Sequence, residues 1–269
     1  AQQANIPFIA PFTGARFLRT PFKNQVINIR AGYDEETQKL VTYLIEKKKL
    51  NKIACFYQND SFGRAGLNGV KSALKKYGMK LVAAETYQRN TVAVMGGFLR
   101  IRRAHPKAVI LVGSYQPCAE FIKLGKVKGM EDVTYCNLSF VGSNALKRAL
   151  RNSTENVIIS QVLPSPFNQD LNVVQDYFNS MEKFHPEQEL SYITFEGYIA
   201  GRFFLEVIKG IDKNLTRKNF IRYIEQKKTF NLGGIELEFG PKDHQGLDDT
   251  YLTVIKDGKI VPLIEMQTE

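Results

Sequence analysis

Hydroxyl, amide and aromatic side chains recur in the loops that follow short apolar runs of this chain. These loops contain residues 13–14, 61–62, 114–115 and 139–143. Loops between parallel strands and the helices that follow them gather at one edge of the sheet, where ligands bind. Helix N-termini add unpaired N–H groups and a positive dipole end, which suit a carboxylate. Phe62 and Tyr115 can supply an apolar or stacking wall. The pattern predicts noncovalent binding of a small molecule.

Patterns for catalysis and metal binding are weak by comparison. Of the three histidines, His105 and His185 each precede a proline, and no GxSxG nucleophile elbow is present. His244 beside Asp243 is the one suggestive site, and a capped turn before the last hairpin explains it as well. No His or Cys pair has the spacing of metal ligands. We therefore expect no metal, no cofactor and no enzymatic activity.

Gly63, Gly66 and Gly69 could suggest a nucleotide site. A dinucleotide-binding fingerprint needs its first glycine directly after the strand, at GxGxxG spacing. Here five residues separate Tyr57 from Gly63, and the glycines step by three inside a predicted helix. We expect them to allow close packing of that helix on the sheet.

Strands and helices alternate along the chain in a way that would position these loops. Apolar runs too short for helices, each followed by an amphipathic segment, indicate parallel βα units. The predicted strands cover 6–10, 26–30, 53–57, 81–87, 109–112, 133–138, 157–163 and 235–239, with a final hairpin through Asp257-Gly258. The predicted helices cover 34–48, 91–104, 119–128, 171–184, 192–211 and 216–227, with one more that Asp60 or Ser61 caps and Gly78 ends. The predicted fold class is α/β with doubly wound parallel sheets.

Composition sets further bounds on the function. The 269 residues suit one large domain or two small ones, and 43% apolar with 24% charged residues is ordinary for a globular protein. No run approaches the roughly 18 apolar residues of a membrane span, and no secretory signal opens the chain. Residues 32–161 hold 21 basic and 10 acidic residues, whereas the remainder holds 16 and 17. This excess indicates either docking to an acidic partner, membrane headgroups or nucleic acid, or a solvated face. We favour the solvated face because the clusters lie near predicted helix C-termini.

The three cysteines, Cys55, Cys118 and Cys136, are expected to be buried thiols. Two fall in predicted strands and the third at the start of a helix, with no CxxC spacing. Their odd number argues against a disulfide framework, with a single disulfide as the alternative.

The chain resembles the type I periplasmic solute-binding proteins, specifically the leucine/isoleucine/valine-binding branch of ABC transporter receptors. The matching stretches keep the family's order over nearly the whole chain and include "IPFIAPFTGARFLR", "NIRAGYDEE", "IACFYQNDSFGRAGLNGV", "AVILVGSYQP", "NLSFVGSNAL", "FEGYIAGRFFLE" and "FGPKDHQGLDDTYLTVIKDGKIVP". The resemblance implies two doubly wound lobes joined by three hinge crossings near 28–32, 160–166 and 245–250. The first lobe would comprise 1–30 with 165–246, and the second 31–163 with 248–263. Family members have a longer segment before "IPFIAPF", so we expect the first lobe to be N-terminally incomplete.

The resemblance also implies which residues bind the ligand. In the first lobe, a loop would hold the carboxylate and ammonium of an amino acid, and it corresponds to Phe12, Thr13 and Gly14. In the second lobe, Phe62 and Tyr115 would cover the ligand. The family has an acid that pairs with the ammonium where this chain has Ser139. Losing that acid removes a charge-assisted hydrogen bond of roughly 1.5–3 kcal/mol, so another amino acid or a carboxylate without an ammonium becomes competitive.

The function implied by the resemblance is that of a non-enzymatic receptor in the periplasm or another extracytoplasmic compartment. It would clamp a small amino acid or related carboxylate between its lobes and deliver it to the membrane permease of an ABC transporter, with no role for nucleic acid. The alternative is the extracellular sensing domain of a membrane signalling receptor, for which a membrane segment downstream of Glu269 would decide. The effector-binding core of a transcriptional repressor shares the fold but needs a helix-turn-helix that the sequence does not show.

Overall fold

A computed structural model describes residues 4–263 of the chain. Within them the chain divides into two compact units. The first unit comprises the residues up to Gly32 together with Val162–Asp249, and the second comprises Tyr33–Gln161 together with the residues from Thr250 onward. Each unit therefore combines two separate stretches of sequence. The lobe boundaries and hinge positions given above stay a prediction.

The described residues form eleven strands and eight α-helices. The strands are β1 (Phe8–Ile9), β2 (Val26–Ile27), β3 (Ile53–Gln58), β4 (Ala83–Tyr87), β5 (Ala108–Val112), β6 (Thr134–Asn137), β7 (Val157–Gln161), β8 (Thr229–Asn231), β9 (Glu236–Glu238), β10 (Tyr251–Lys256) and β11 (Lys259–Pro262). The helices are α1 (Tyr33–Thr42), α2 (Ser61–Lys75), α3 (Met95–Arg103), α4 (Tyr115–Val127), α5 (Ser143–Leu150), α6 (Asn172–Phe184), α7 (Tyr192–Lys209) and α8 (Arg217–Lys227).

The second unit is built on a seven-stranded sheet in the order β11-β10-β7-β6-β5-β3-β4. The five strands from β7 to β4 run parallel, and β10 and β11 add an antiparallel edge. Every residue of β5 is buried, as expected for a central strand with helices on both faces. One core of the sheet contains Phe121, against whose ring the rings of Phe56, Phe98 and Tyr135 all pack. The predicted α/β class with parallel βα units is confirmed.

The first unit carries less sheet in its described part. Strands β1 and β2 pair in parallel, β8 and β9 form an antiparallel hairpin, and α6, α7 and α8 supply the helices. An aromatic core holds the unit together, with Tyr177, Phe195, Phe203, Phe230 and Phe239 among its buried members. The described part of this unit therefore contains a two-stranded parallel sheet, not a doubly wound one.

Several predicted elements differ from the observed ones at their ends. Helix α4 begins at Tyr115, four residues earlier than predicted, because Pro117 lies in its first turn, where a helix needs no N–H from that residue. Helix α3 begins only at Met95, and where the first turn was predicted the Thr91 hydroxyl donates to the Gln88 carbonyl at 2.7 Å. The predicted helix 34–48 ends in a π-helical turn at Tyr43–Lys47. Helix α5 and strand β8 were not predicted.

The final hairpin and the helix glycines agree with the sequence analysis. Asp257 and Gly258 have φ values of 50° and 69°, which two-residue hairpin turns with both central residues at positive φ require. A Cβ on Gly66 would lie 2.5 Å from Val112 Cγ1 of β5, so this glycine lets α2 approach the sheet. Gly69 faces helix α1 instead, where its Cβ would lie 2.5 Å from Thr37 Oγ1. The predicted close packing of helix α2 is confirmed. At Gly66 the helix packs against the sheet, and at Gly69 it packs against helix α1.

The clustered basic residues of the second unit lie on the surface. The lysines at 47–49 and 75–76 and the arginines at 102–103 are all exposed and lie at or just beyond helix C-termini. Cations are favoured there by the negative end of the helix dipole, so the solvated-face interpretation fits their positions. Among the described helices, none has the length and apolar character that crossing a membrane requires.

The three cysteines are free and buried, as predicted. Burial raises the pKa of Cys55 and Cys136 to about 12 from an ordinary value of 9.0, and it raises the pKa of Cys118 as well. We expect a thiol reagent at pH 8 to leave all three unmodified in the folded protein and to modify all three in urea. Rapid modification of any of them in the folded state would contradict this burial.

Burial of the thiols also predicts how stability depends on pH. A folded-state pKa above the unfolded one means that each thiol stabilises the fold fully below pH 9, and that this contribution is lost as pH rises toward 12. Over that interval the free energy of unfolding falls with rising pH, because the unfolded thiols release a proton that the folded ones keep. Urea unfolding at pH 8 and pH 10 measures the loss.

Candidate functional site

The C-terminal ends of the parallel strands in the second unit bring three of the predicted residues to one edge of the sheet. Phe62 is the second residue of α2, Tyr115 is the first of α4, and Ser139 follows β6. Parallel strands direct their carboxyl ends to the same side, so these residues share an edge with the first turn of α1.

Phe62 belongs to an aromatic cluster at this edge. Its ring centroid lies 5.4 Å from that of Tyr33 and 4.5 Å from that of Phe140, in tilted geometries that aromatic pairs favour. Tyr33 is buried and Phe62 half-buried. Since Phe140 directly follows Ser139, the cluster places the predicted aromatic beside the predicted polar residue.

Ser139 is held by a carboxylate that the sequence analysis did not single out. Its backbone N–H donates to Glu36 Oε2 at 2.8 Å, and its hydroxyl donates to Glu36 Oε1 at 3.0 Å. Glu36 lies in the first turn of α1 and is fully buried. The sequence signal was present, because Glu36 precedes Leu40 and Leu44 at four-residue spacing and so falls on the buried face of the helix.

Tyr115 is connected to the Phe62 loop through buried polar groups. The Ser114 N–H donates to Tyr87 Oη at 3.1 Å, and Tyr87 Oη donates to Gln58 Oε1 at 3.0 Å. Gln58 Nε2 in turn donates to Asp60, whose other oxygen caps α2 by accepting from the Gly63 N–H at 3.0 Å. Burial raises the pKa of Tyr87 to about 12, so its hydroxyl keeps the proton that it donates. The chain of bonds fixes the two loops relative to each other.

Replacing Tyr87 with phenylalanine should therefore lower the free energy of unfolding by about 1–3 kcal/mol, because it leaves the buried Gln58 carbonyl and the Ser114 N–H without this partner. Tyr77→Phe is the matched control, since that hydroxyl bonds Glu46 and Thr42 at the surface and its loss should cost less than about 0.5 kcal/mol. Urea unfolding of both variants measures the difference. Equal losses of stability in the two variants would show that the buried chain of hydrogen bonds contributes no more than the surface hydrogen bonds of Tyr77.

In the first unit, the predicted loop of Phe12, Thr13 and Gly14 forms a tight turn after β1. Phe12 is exposed, Gly14 is buried, and the Thr13 hydroxyl accepts a hydrogen bond from the Ala15 N–H at 3.2 Å. The Thr13 N–H donates to the Pro11 carbonyl at 2.7 Å. Short bonds within the turn therefore set where the Thr13 hydroxyl lies.

Two arginines that sequence analysis did not single out support this loop. The Arg19 guanidinium donates to the carbonyls of Thr13 and Ala15 at 3.3 and 3.2 Å, and to the Arg30 carbonyl at 2.9 Å. The Arg30 guanidinium lies 5.2 Å from the centroid of the Phe12 ring, a cation–π distance. The available signal was Arg30, a charged residue at the end of the predicted apolar strand 26–30.

Arg30 is itself buried and paired with an acid. Its side chain is 1% exposed, and Nη1 lies 3.4 Å from Oε1 of Glu196 on α7. A cavity of about 230 Å³ adjoins this pair, and its lining includes Pro11, Phe12 and Ile193. The first unit thus places the aromatic ring of Phe12 and a compensated charge pair beside one cavity.

His244 has a structural environment in the first unit. Its Nε2 lies 3.2 Å from Glu225 Oε1, and its ring meets Phe22 edge-on at 4.8 Å. Asp243 accepts from the Gln245 N–H at 3.0 Å, so it closes a turn and does not orient the imidazole. Among residues 4–263, no group of three or more His, Cys, Asp or Glu side chains is arranged to hold a metal ion. The loop at 12–14 in the first unit and the loops at the sheet edge of the second unit each carry groups that suit hydrogen bonding to a ligand and aromatic contact with it.

Comparison with known proteins agrees with the fold described above. The sequence profile of the periplasmic binding protein family matches residues 1–259. No curated protein sequence matches the chain. The crystal structure of a possible leucine/isoleucine/valine-binding protein from Rhodopirellula baltica is 34% identical, with a TM-score of 0.92 over 98% of this chain and 72% of that one.

Two more distant structures share the fold. One is a branched-chain amino acid ABC transporter protein from Thermus thermophilus with bound valine, at 19% identity and a TM-score of 0.85 over 98% of this chain and 72% of that one. The other is an ABC transporter solute-binding protein from R. palustris in complex with benzoate, at 18% identity and a TM-score of 0.82 over 98% of this chain and 71% of that one. The chain therefore belongs to the periplasmic binding protein family, in the branch of the leucine/isoleucine/valine-binding proteins.

Proposed function

We propose that this protein is the extracytoplasmic substrate-binding receptor of an ABC importer, and that it binds a small amino acid or a related carboxylate without transforming it. The observation that carries the proposal is the sheet edge of the second unit, where Phe62 packs against Phe140 and the preceding residue, Ser139, donates to the buried carboxylate of Glu36. In the proposal, Tyr115 and the Phe12–Thr13–Gly14 loop complete the set of ligand-binding residues. The partners would be the small ligand and a membrane permease.

A carboxylate is the ligand group that this chemistry favours. Helices α2 and α4 begin at the edge that carries Phe62 and Tyr115, and helix N-termini offer N–H groups and a positive dipole end to an anion. Valine and benzoate, the ligands of the two distant relatives, both carry a carboxylate. An apolar side chain or ring would then contact Phe62, whose other neighbours are aromatic.

Thermal unfolding with a ligand panel tests the proposal. The panel contains the common amino acids, the deaminated counterparts of valine, leucine and phenylalanine, and benzoate. We expect at least one member at a hundred times its Kd to stabilise the folded protein by about 2.7 kcal/mol. If no member raises the melting temperature, the proposed function is wrong.

The Phe62→Ala variant supplies the control for the panel. It should lose most of the stabilisation by the ligand, because truncating a central aromatic contact commonly costs about 2 kcal/mol of binding, which is roughly thirtyfold in Kd. Phe184→Ala removes an aromatic ring that is 64% exposed at the end of α6 and should leave the stabilisation unchanged.

A further inference from the structure

We propose that Glu36 fixes the direction of the Ser139 hydroxyl, so that Ser139 offers its ligand a hydrogen-bond acceptor and selects ligands that carry an ammonium or another donor group. This inference rests on the proposed function, since it assumes that Ser139 contacts the ligand. It names the chemical class that the site would take. Glu36 acts in it as a positioning residue, because it works through Ser139.

The geometry around Glu36 defines what each oxygen can do. Oε2 accepts from the Ser139 N–H at 2.8 Å and also from the Ser160 hydroxyl on β7, while Oε1 accepts from the Ser139 hydroxyl at 3.0 Å. A backbone N–H can only donate, so Oε2 must be the acceptor in its bond with Ser139. These donors come from two strand ends and meet on one carboxylate.

The surroundings of Glu36 supply hydrogen-bond donors to both of its oxygens. It lies in the first turn of α1, near the positive end of the helix dipole. Hydrogen bonds donated to a carboxylate are stronger than bonds between neutral groups. In the proposal the carboxylate accepts from the Ser139 hydroxyl, so the hydrogen of this hydroxyl is directed at Glu36.

The consequence for a ligand follows from the number of hydrogen bonds that a hydroxyl can donate and accept. It has one hydrogen and two lone pairs, and the hydrogen of Ser139 is directed at Glu36. Any further partner of this oxygen must therefore be a donor. A bond to an anion polarises the hydroxyl and strengthens its lone pairs as acceptors. An ammonium suits this oxygen, whereas a carboxylate oxygen in the same place would meet another acceptor.

In the proposal, Ser139 thus lets the carboxylate of Glu36 influence which group of a ligand can bind. A directly placed acid would contact an ammonium itself, while here the carboxylate is fully buried and the hydroxyl stands between. The chain can therefore keep a preference for an ammonium although its loop carries no acid. Without Glu36, Ser139 could turn its hydrogen toward the ligand, and the preference would reverse.

Matched pairs of probes measure this preference in the full chain. The pairs are valine with 3-methylbutanoate, leucine with 4-methylpentanoate and phenylalanine with 3-phenylpropanoate, each differing only in the ammonium. Isothermal titration calorimetry should give the wild-type protein a Kd at least tenfold lower for one amino acid than for its deaminated counterpart.

Glu36→Gln tests the mechanism. Its amide oxygen can still accept from the Ser139 N–H, but its NH2 group now donates to the Ser139 hydroxyl, which turns that hydrogen toward the ligand. We expect the ratio of the two Kd values to shift at least tenfold toward the deaminated acid. Ser139→Ala should remove the discrimination while leaving Glu36 in place. Glu46→Gln, an exposed substitution of the same kind, should leave the ratio unchanged.

The outcomes separate this inference from the proposed function. If Glu36→Gln weakens both members of a pair equally, or if the wild-type protein prefers the deaminated acids or benzoate, the inference is overturned while the proposed function stands. If no probe or panel member binds, the proposed function fails, and the inference fails with it. If Glu36→Gln does not fold, as circular dichroism would show, Ser139→Ala decides alone, and an unchanged ratio in that variant overturns the inference.

Discussion

Replacing Arg30 with methionine is expected to lower the free energy of unfolding of the first unit by about 3–5 kcal/mol. The substitution keeps much of the side-chain volume but removes the charge that faces Glu196, whose side chain is 14% exposed. Breaking a buried pair from one side leaves an uncompensated charge, and that is the costly event. The contact between the guanidinium and the Phe12 ring is lost as well. Urea unfolding, with hydrogen exchange at the α7 amides to locate the effect, measures the loss.

Arg202→Met provides the matched control on the same helix as Glu196. Arg202 Nη1 lies 2.8 Å from Asp176 Oδ2, but both side chains are substantially exposed, so this loss should stay below about 1 kcal/mol. The double variant Arg30→Met with Glu196→Gln should recover part of the stability, since no buried charge then lacks a partner. A loss for Arg30→Met no larger than that for Arg202→Met would mean that the buried pair does not stabilise the unit.

The fold of the second unit could be predicted because its signals are local. The fully apolar run of β5, the Asp60 cap of α2 and the Asp257-Gly258 turn each depend on residues close together in sequence. The ends of helices and strands were harder to predict, because they depend on competition between neighbouring hydrogen bonds. The start of α4 shows this: a proline that suggests a break is tolerated in a first turn.

The candidate site was only partly predictable, for a different physical reason. Phe62, Tyr115 and Ser139 are placed by the strand ends that precede them, so local patterns and the family resemblance predict their position at this edge of the sheet. Glu36 bonds Ser139, a residue far away along the chain, and Arg30 pairs with Glu196 in the same way. Such partners are brought together by tertiary packing. A single sequence shows that a helix has a buried acid but not which donors meet it.

The second large effect is expected at Gly63, between the sheet and the edge that we propose binds the ligand. A Cβ at this position would lie 1.8 Å from the Gln58 carbonyl oxygen and less than 3 Å from two more backbone atoms of Gln58. Backbone atoms of a buried strand cannot shift as a flexible side chain can, so the N-terminus of α2 must move away from β3. We expect Gly63→Ala to cost about 3 kcal/mol or more, at the upper end of what overpacking causes.

Gly201→Ala is the control that isolates this cause. Gly201 lies inside α7, and a Cβ there would meet no atom within 4 Å, so alanine should raise the stability by about 0.5–1 kcal/mol through the helix preference alone. Urea unfolding compares the two variants. Because Gly63 directly follows Phe62 and its N–H is capped by Asp60, moving it also displaces the aromatic ring and loosens the cap. Gly63→Ala should therefore lose stability and ligand binding together, and a variant that lost neither would refute the close approach of α2 to β3.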